Sequence, residues 1–304
     1  MSSILWELAL IALFAGLLAA AIWDLQRREV PDGCWQAMGI VGAGLGAAAL
    51  YSPSAPLGTV LWILVAGLAT EHFFDWEALL RHRSARITLG IELSAFTVCV
   101  VAVGVAAIAL GVSAHGVPYP VVAALAVVVI ARVLYEAGAL WGGADARALM
   151  AISLLVPLTP ATVIAVPAAA VAFAEIVPFA LNALVNGLLL VAITVPTTIA
   201  AINLVRREFS LRDGFVSYTI PVGELARRHV WLWEPGDRGR GSEASSMTAE
   251  EDLRARRDSA QELAARGIER VRVTPQIPLV TFLAAGALLT WVAGNLVANL
   301  FALR

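Results

Sequence analysis

AAAIWDLQRREVPDGCW, residues 19–35, closes one apolar run of membrane length and opens the next. Pro31 dictates the turn, because a proline drives the residue before it out of helical conformation, so the first helix ends or turns ahead of it. Asp24 is thereby held on the last turns of a span. A carboxylate at the edge of hydrocarbon is expensive to place. Alone, it reads as a membrane-edge marker beside snorkelling Arg27 and Arg28.

Working outward, the rest of the chain is of the same kind. Its 304 residues are 60% hydrophobic and 14% charged, with a mean hydropathy of +0.81. No ordinary water-soluble domain of this length has that balance. Apolar stretches long enough for a hydrocarbon core of about 30 Å fall near 4–24, 33–50, 57–74, 88–111, 118–138, 145–159, 178–205 and 276–301. The fold class expected is therefore an all-α polytopic membrane protein of about eight transmembrane helices. The stretch 145–159 is short for a span, and 161–178 is apolar enough to be re-entrant or to belong to a neighbouring helix.

No basic residue precedes the first apolar run, and that run exceeds the usual core of a secretory signal, so it is expected to be a retained helix. The chain has no Lys, and its basic charge is carried by 21 Arg. Threading eight passes from an outer N-terminus puts Arg27, Arg28, Arg81, Arg83, Arg86, Arg147 and every Arg from Arg206 to Arg272 on one side. The outer loops near Ser52, Ser113 and Thr162 then carry none. By the positive-inside bias that populated side is the cytoplasm, and Asp24 and Asp145 both face it. The net charge of −2 implies no nucleic-acid partner. Cys34 and Cys99 stand singly, without metal-ligand spacing, and read as packing residues. No cofactor or metal is expected.

Three units follow: a helical membrane region over 1–205, a soluble domain over 206–274, and a closing span over 275–304. Within the soluble domain FVSYTIPV (215–222) and RVRV (270–273) read as strands. GDRGRGSEASS (236–246) reads as loop. A helix is expected from about Ala249 to Arg266, capped by Thr248 with Glu251 three residues on and stopped by Gly267. Leu253, Ala260, Leu263 and Ala264 share a face suited to the small sheet or the membrane surface. In the spans, Arg132 and Glu136 are spaced as an i,i+4 pair. Glu7 and Glu92 suit a watery interior or the interface, and Phe74, Asp75 and Trp76 suit an interfacial belt.

The second informative stretch is LWGGADARALM (140–150). Small residues ahead of Asp145 admit an extended backbone or a close neighbour, and the carboxylate then opens a helix near its positive end. Asp145 alone also reads as an N-capping residue after a Gly turn. Two carboxylates sharing a site do not both ionise readily, so one keeps a proton while the other deprotonates a water. Such a pair titrates as a unit. The pairing points to aspartyl-type hydrolysis.

With these residues in view, the chain resembles the type IV prepilin peptidases. DLQRREVPD (24–32) is similar to their first signature: an Asp, a basic residue, then Ile/Val-Pro and Asn or Asp. GGADARALMAISLLVP (142–157) is similar to the second, in the GGAD form of archaeal preflagellin and prepilin peptidases. RVRVTPQIPLVTFLAAG (270–286) is similar to the stretch entering their last span. The resemblance implies an intramembrane aspartic endopeptidase that removes a short basic leader from prepilins or preflagellins. Asp24 and Asp145 would be the catalytic pair, with Pro31, Gly142, Gly143, Ala144 and Arg147 as motif support. Arg147 stands where the family commonly has Lys, and Asp32 where Asn is frequent. The aspartates are far apart in sequence for the compact archaeal members, as though 57–74 and 88–111 were an inserted hairpin. The tetra-cysteine zinc loop and N-methyltransferase activity of bacterial relatives are not expected here. Implied partners are the precursor protein and the lipid bilayer, and Asp75, Glu77 or Asp213 are candidates to attract a basic leader.

Two other readings use the same aspartates. A presenilin or signal-peptide-peptidase relative carries Pro-Ala-Leu near the C-terminus, where this chain has VTPQIPLV. A proton- or cation-coupled transporter places its acidic groups at broken helices near the midplane. Here both are expected at the cytoplasmic edge.

Overall fold

The computed structural model describes residues 3–51, 57–71, 118–140, 143–160, 162–164, 166–167, 176–233 and 249–302. Helices α1 (Ser3–Arg27), α2 (Asp32–Leu50), α3 (Leu57–Glu71), α4 (Tyr119–Glu136), α5 (Gly143–Leu155) and α6 (Phe179–Val205) come first. A small domain follows, with strands β1 (Tyr218–Pro221), β2 (Val230–Leu232) and β3 (Arg270–Pro275), and with α7 (Ala249–Ala265) between the last two. Helices α8 (Leu279–Ala293) and α9 (Leu296–Ala302) close the chain.

Seven of the eight expected spans thus have a helical counterpart, and 88–111 lies outside the described residues, as do Glu92, Cys99, the 74–76 belt, the 236–246 loop and Thr248. Among the described residues four helices are long and apolar enough to cross a membrane, α1, α2, α4 and α6, or five if the bent pair α8 and α9 counts as one span. Helix α5 is 13 residues long, about 20 Å at the helical rise, and so too short to cross alone. It is instead the centre of the bundle. Every residue from Ala148 to Leu155 is buried, and α5 packs against α1, α2, α3, α4, α6 and α8. A helix apolar on all sides is stable only where neighbours surround it. The expected continuous closing span is also corrected. It breaks at Gly294, which has φ +70, and its halves meet at 41°. In the 161–178 region, the described residues Thr162–Ile164 form no helix. The amides of Val163 and Ile164 donate to the carbonyls of Trp291 and Val292 at the end of α8.

Helices α6 and α8 form the closest pair. A Cβ on Gly286 would lie 2.2 Å from the Ala183 carbonyl oxygen, so only glycine allows the two backbones this approach. Small residues serve this purpose generally where no hydrophobic drive exists between helices in lipid. Further toward the break, Asn186 donates to Thr290 Oγ1 (3.0 Å) and the Gly294 carbonyl (2.9 Å), and its Oδ1 accepts from the Leu296 amide (3.0 Å). Asn295 donates to Asn182 Oδ1 at 2.7 Å. Buried amides are costly unless satisfied, and here they satisfy the backbone groups freed by the break.

The inserted domain sits on the end of α6. Its sheet has the order β1-β3-β2, antiparallel throughout, with Val273 opposite both Tyr218 and Leu232. Both expected strands appear, β1 trimmed to Tyr218–Pro221 and β3 extended to Pro275, while the three-residue β2 is too short to show a period. Ile199 of α6 is buried with Tyr218, Ile220, Leu225, Val230 and Val273, and Ala260 and Leu263 of α7 cover the same cluster. Helix α7 therefore packs on the sheet as its apolar face suggests, although Ala264 is exposed. Gly267, with φ +76, ends it. Asn203, buried, ties the domain to α6 by donating to the carbonyls of Gly214 (2.9 Å) and Ser217 (2.8 Å). Arg132 and Glu136 pair at 2.7 Å as spaced, and Glu7 is exposed on the outside of α1.

Candidate active site

The first aspartate motif folds as a helix, a turn and a second helix. Helix α1 ends at Arg27, Arg28 takes a left-handed conformation (φ 56), and Pro31 immediately precedes α2. Left-handed backbone is uncommon for a residue with a side chain, and here it turns the chain between two helices that pack together. Arg27 lies over the Trp23 ring, 4.3 Å from its centroid, which holds that guanidinium at the rim. Arg28 turns the other way. Burial lowers its pKa and the nearby Asp24 carboxylate opposes the shift.

Asp24 is only 8% exposed. Its Oδ2 accepts a hydrogen bond from the Thr281 backbone amide at 3.1 Å, and the Thr281 hydroxyl lies 3.3 Å from the same oxygen. That hydroxyl is also 3.3 Å from the Ala21 carbonyl, and its one hydrogen serves one acceptor at a time. The arrangement has a plain cause. Helix α8 begins after Pro278, which offers no side-chain cap, and the first amides of a helix need partners from outside it. Asp24 supplies one from 257 residues away.

The second motif opens α5. Asp145 falls in its first turn, half-buried. As the third helical residue it lies inside the helix, beyond the N-cap position. The expectation for the glycines is corrected in part. A Cβ on Gly143 would come no nearer than 3.9 Å to the Tyr135 ring, an ordinary contact, and Gly143 is not among the residues with positive φ. Neither a close neighbour nor an unusual backbone demands glycine there. Gly142 lies outside the described residues. Ala144 packs on the bundle core.

The two motifs meet through a charged pair. Arg147 Nη1 of α5 bonds Asp32 Oδ1 at the start of α2. Their side chains are 20% and 37% exposed respectively, so the pair lies at the rim. Since α1, α5 and α8 also pack on one another, Asp24, Thr281, Asp32, Arg147 and Asp145 all belong to the end of the bundle that carries the inserted domain. The Asn182, Asn186 and Gly294 network belongs to the other end.

Chemically, this end offers a buried carboxylate held by a hydroxyl and an amide, a half-buried guanidinium near it, and a second carboxylate in the first turn of the central helix. Sequence reasoning missed Thr281. Its signal was indirect: an apolar helix opening behind Pro278, with no Ser, Thr, Asp or Asn at the cap, has to find its acceptor elsewhere. Compared with family models, curated proteins and solved structures, the chain matches none of them.

Proposed function

We propose that this chain is a membrane-embedded aspartic endopeptidase that removes the short basic leader of prepilin-type or preflagellin-type precursors, with Asp24 and Asp145 as its catalytic carboxylates. The observation that carries the reading is the link between the two signature stretches, Arg147 of one bonding Asp32 of the other. Stretches separated by more than a hundred residues serve one site only if the fold joins them. In the reaction, one carboxylate takes a proton from water as the oxygen attacks the scissile carbonyl. The other, protonated, donates to the carbonyl oxygen and then, as the C–N bond breaks, a proton passes to the leaving amine. A precursor with a basic leader ahead of an apolar helix presents its scissile bond at the membrane border. In this reading the border is the cytoplasmic one, and the Arg-rich 206–274 domain marks it.

The transporter reading fits the broken closing helix, but not its position. Gly294 lies thirteen residues beyond Thr281, about 20 Å along a helix, so the break and the Asp24 carboxylate occupy different ends of the bundle.

The test is leader removal. Wild type, Asp24→Asn and Asp145→Asn are expressed in membranes with a prepilin or preflagellin, and the mobility shift of the precursor is followed. Cleavage by the wild type alone is expected. Cleavage that survives either substitution removes the dyad, and wild-type protein that cleaves no such precursor removes the function.

A further inference from the structure

We propose that Thr281 is a positioning residue for Asp24, its hydroxyl and backbone amide together fixing which carboxylate oxygen is turned toward the substrate. The inference rests on the endopeptidase reading and adds a residue outside the two aspartate signatures, within the 270–286 stretch. Both contacts from Thr281, at 3.1 and 3.3 Å, end on Oδ2. With the hydroxyl turned from the Ala21 carbonyl to Oδ2, the carboxylate is held through that oxygen at two points, and the Val280 amide adds a contact from the same helix start. Geometry of this kind matters because a general base works only within hydrogen-bond reach of the proton it removes.

The support behind Thr281 is rigid. Five residues separate it from Pro275, the last residue of β3, and β3 is the central strand of the sheet. Arg272 of β3 pairs with Asp213 at 2.7 Å, and the Thr274 hydroxyl donates to the Val216 carbonyl at 2.9 Å. On the membrane side, Gly286 locks α8 against α6. Thr281 is thus held between a sheet and a close helix pair, the kind of support that keeps a catalytic group in place. This also assigns work to the inserted domain, which anchors the strand leading to Thr281.

The experiment compares the full-length wild type, Thr281→Val and Thr281→Ser in detergent, with a purified prepilin-type precursor as probe. Cleavage is expressed per folded enzyme, and Asp24→Asn runs alongside. Removing the hydroxyl while keeping the shape is expected to lower kcat about 10- to 100-fold, the usual effect of losing a hydrogen bond to a charged group. KM should stay within about twofold. Thr281→Ser is expected to restore kcat to within about threefold of wild type, because it returns the same donor. A merely structural residue would reduce the yield of folded enzyme and leave kcat unchanged. Thr281→Val at wild-type kcat, with Asp24→Asn inactive, overturns the proposal and spares the endopeptidase reading. Loss of kcat in Thr281→Ser equal to that in Thr281→Val also overturns it, since the hydroxyl would then not be the cause. Activity in Asp24→Asn overturns both.

Discussion

Gly286→Ala should be strongly destabilising, because the methyl meets the backbone of a neighbouring helix. The added Cβ would lie 2.2 Å from the Ala183 carbonyl oxygen and 2.6 Å from the Gly187 amide nitrogen. Both are backbone atoms of α6, so no side chain is available to swing aside. Relief requires the two helices to part by most of an ångström along their whole contact, which includes the Asn186–Thr290 bond at 3.0 Å. Overpacking of this sort costs about 3 kcal/mol, the upper end of its usual range. In a chain of 304 residues, at an unfolding entropy of about 2.1 cal/mol/K per residue, that lowers the melting temperature by about 5 °C. The assay is thermal unfolding in detergent, followed by helical circular dichroism, for three variants. Gly187→Ala places its Cβ 2.9 Å from the Phe282 carbonyl oxygen and should lose less than half as much. Gly44→Ala meets nothing within 4 Å and should lose nothing. Gly286→Ala melting within about 2 °C of wild type, or Gly44→Ala proving as harmful, would refute the argument from close backbone approach.

Other consequences are equally specific. Asn203→Leu strands the carbonyls of Gly214 and Ser217 at a cost of about 2–4 kcal/mol, and limited proteolysis should then cut the 206–274 domain faster while the spans resist. Asn186→Leu removes three bonds around the break and should lower the melting temperature by about 5 °C or more; an unchanged melt would mean the break is held by other contacts. In a double-mutant cycle, Asp32→Asn and Arg147→Gln should couple by only about 0.5–1.5 kcal/mol, because both side chains are partly exposed. A coupling above about 3 kcal/mol would require the pair to be buried, contrary to its position at the rim.

What the sequence makes legible is whatever acts locally. Apolar length located the helices, Gly267 ended α7, Pro31 set the first turn, and the i,i+4 spacing of Arg132 and Glu136 foretold their pair. What escaped depends on partners distant in the chain. The break in the last span is a partial example: Gly294 and Asn295 carry a local signal, Asn295 Oδ1 accepting from the Ala298 amide, but the Leu296 amide is taken by Asn186, on another helix. The central place of α5 is another, since a mostly apolar helix of 13 residues is equally compatible with a short span and a surrounded core helix. The aspartate motifs were visible as residue patterns, whereas the Arg147–Asp32 bond between them was not.

The contacts of Asp24 have two readings, and one substitution separates them. As the acceptor for the Thr281 amide, Asp24 is a helix cap delivered from another helix, and capping by itself explains its burial. Asparagine caps helices about as well as aspartate, and Asp24→Asn keeps an oxygen where Oδ2 stands. It also takes a charge away from a membrane edge, where charge is expensive. On the capping reading, Asp24→Asn keeps the cap and costs only what the nearby Arg28 guanidinium loses with the carboxylate, and cleavage is retained. On the catalytic reading the melt shifts by the same amount, but an amide does not accept a proton from water, so leader removal stops. The informative result is therefore a folded protein with lost cleavage. A folded protein with retained cleavage would leave Asp24 a cap and nothing more.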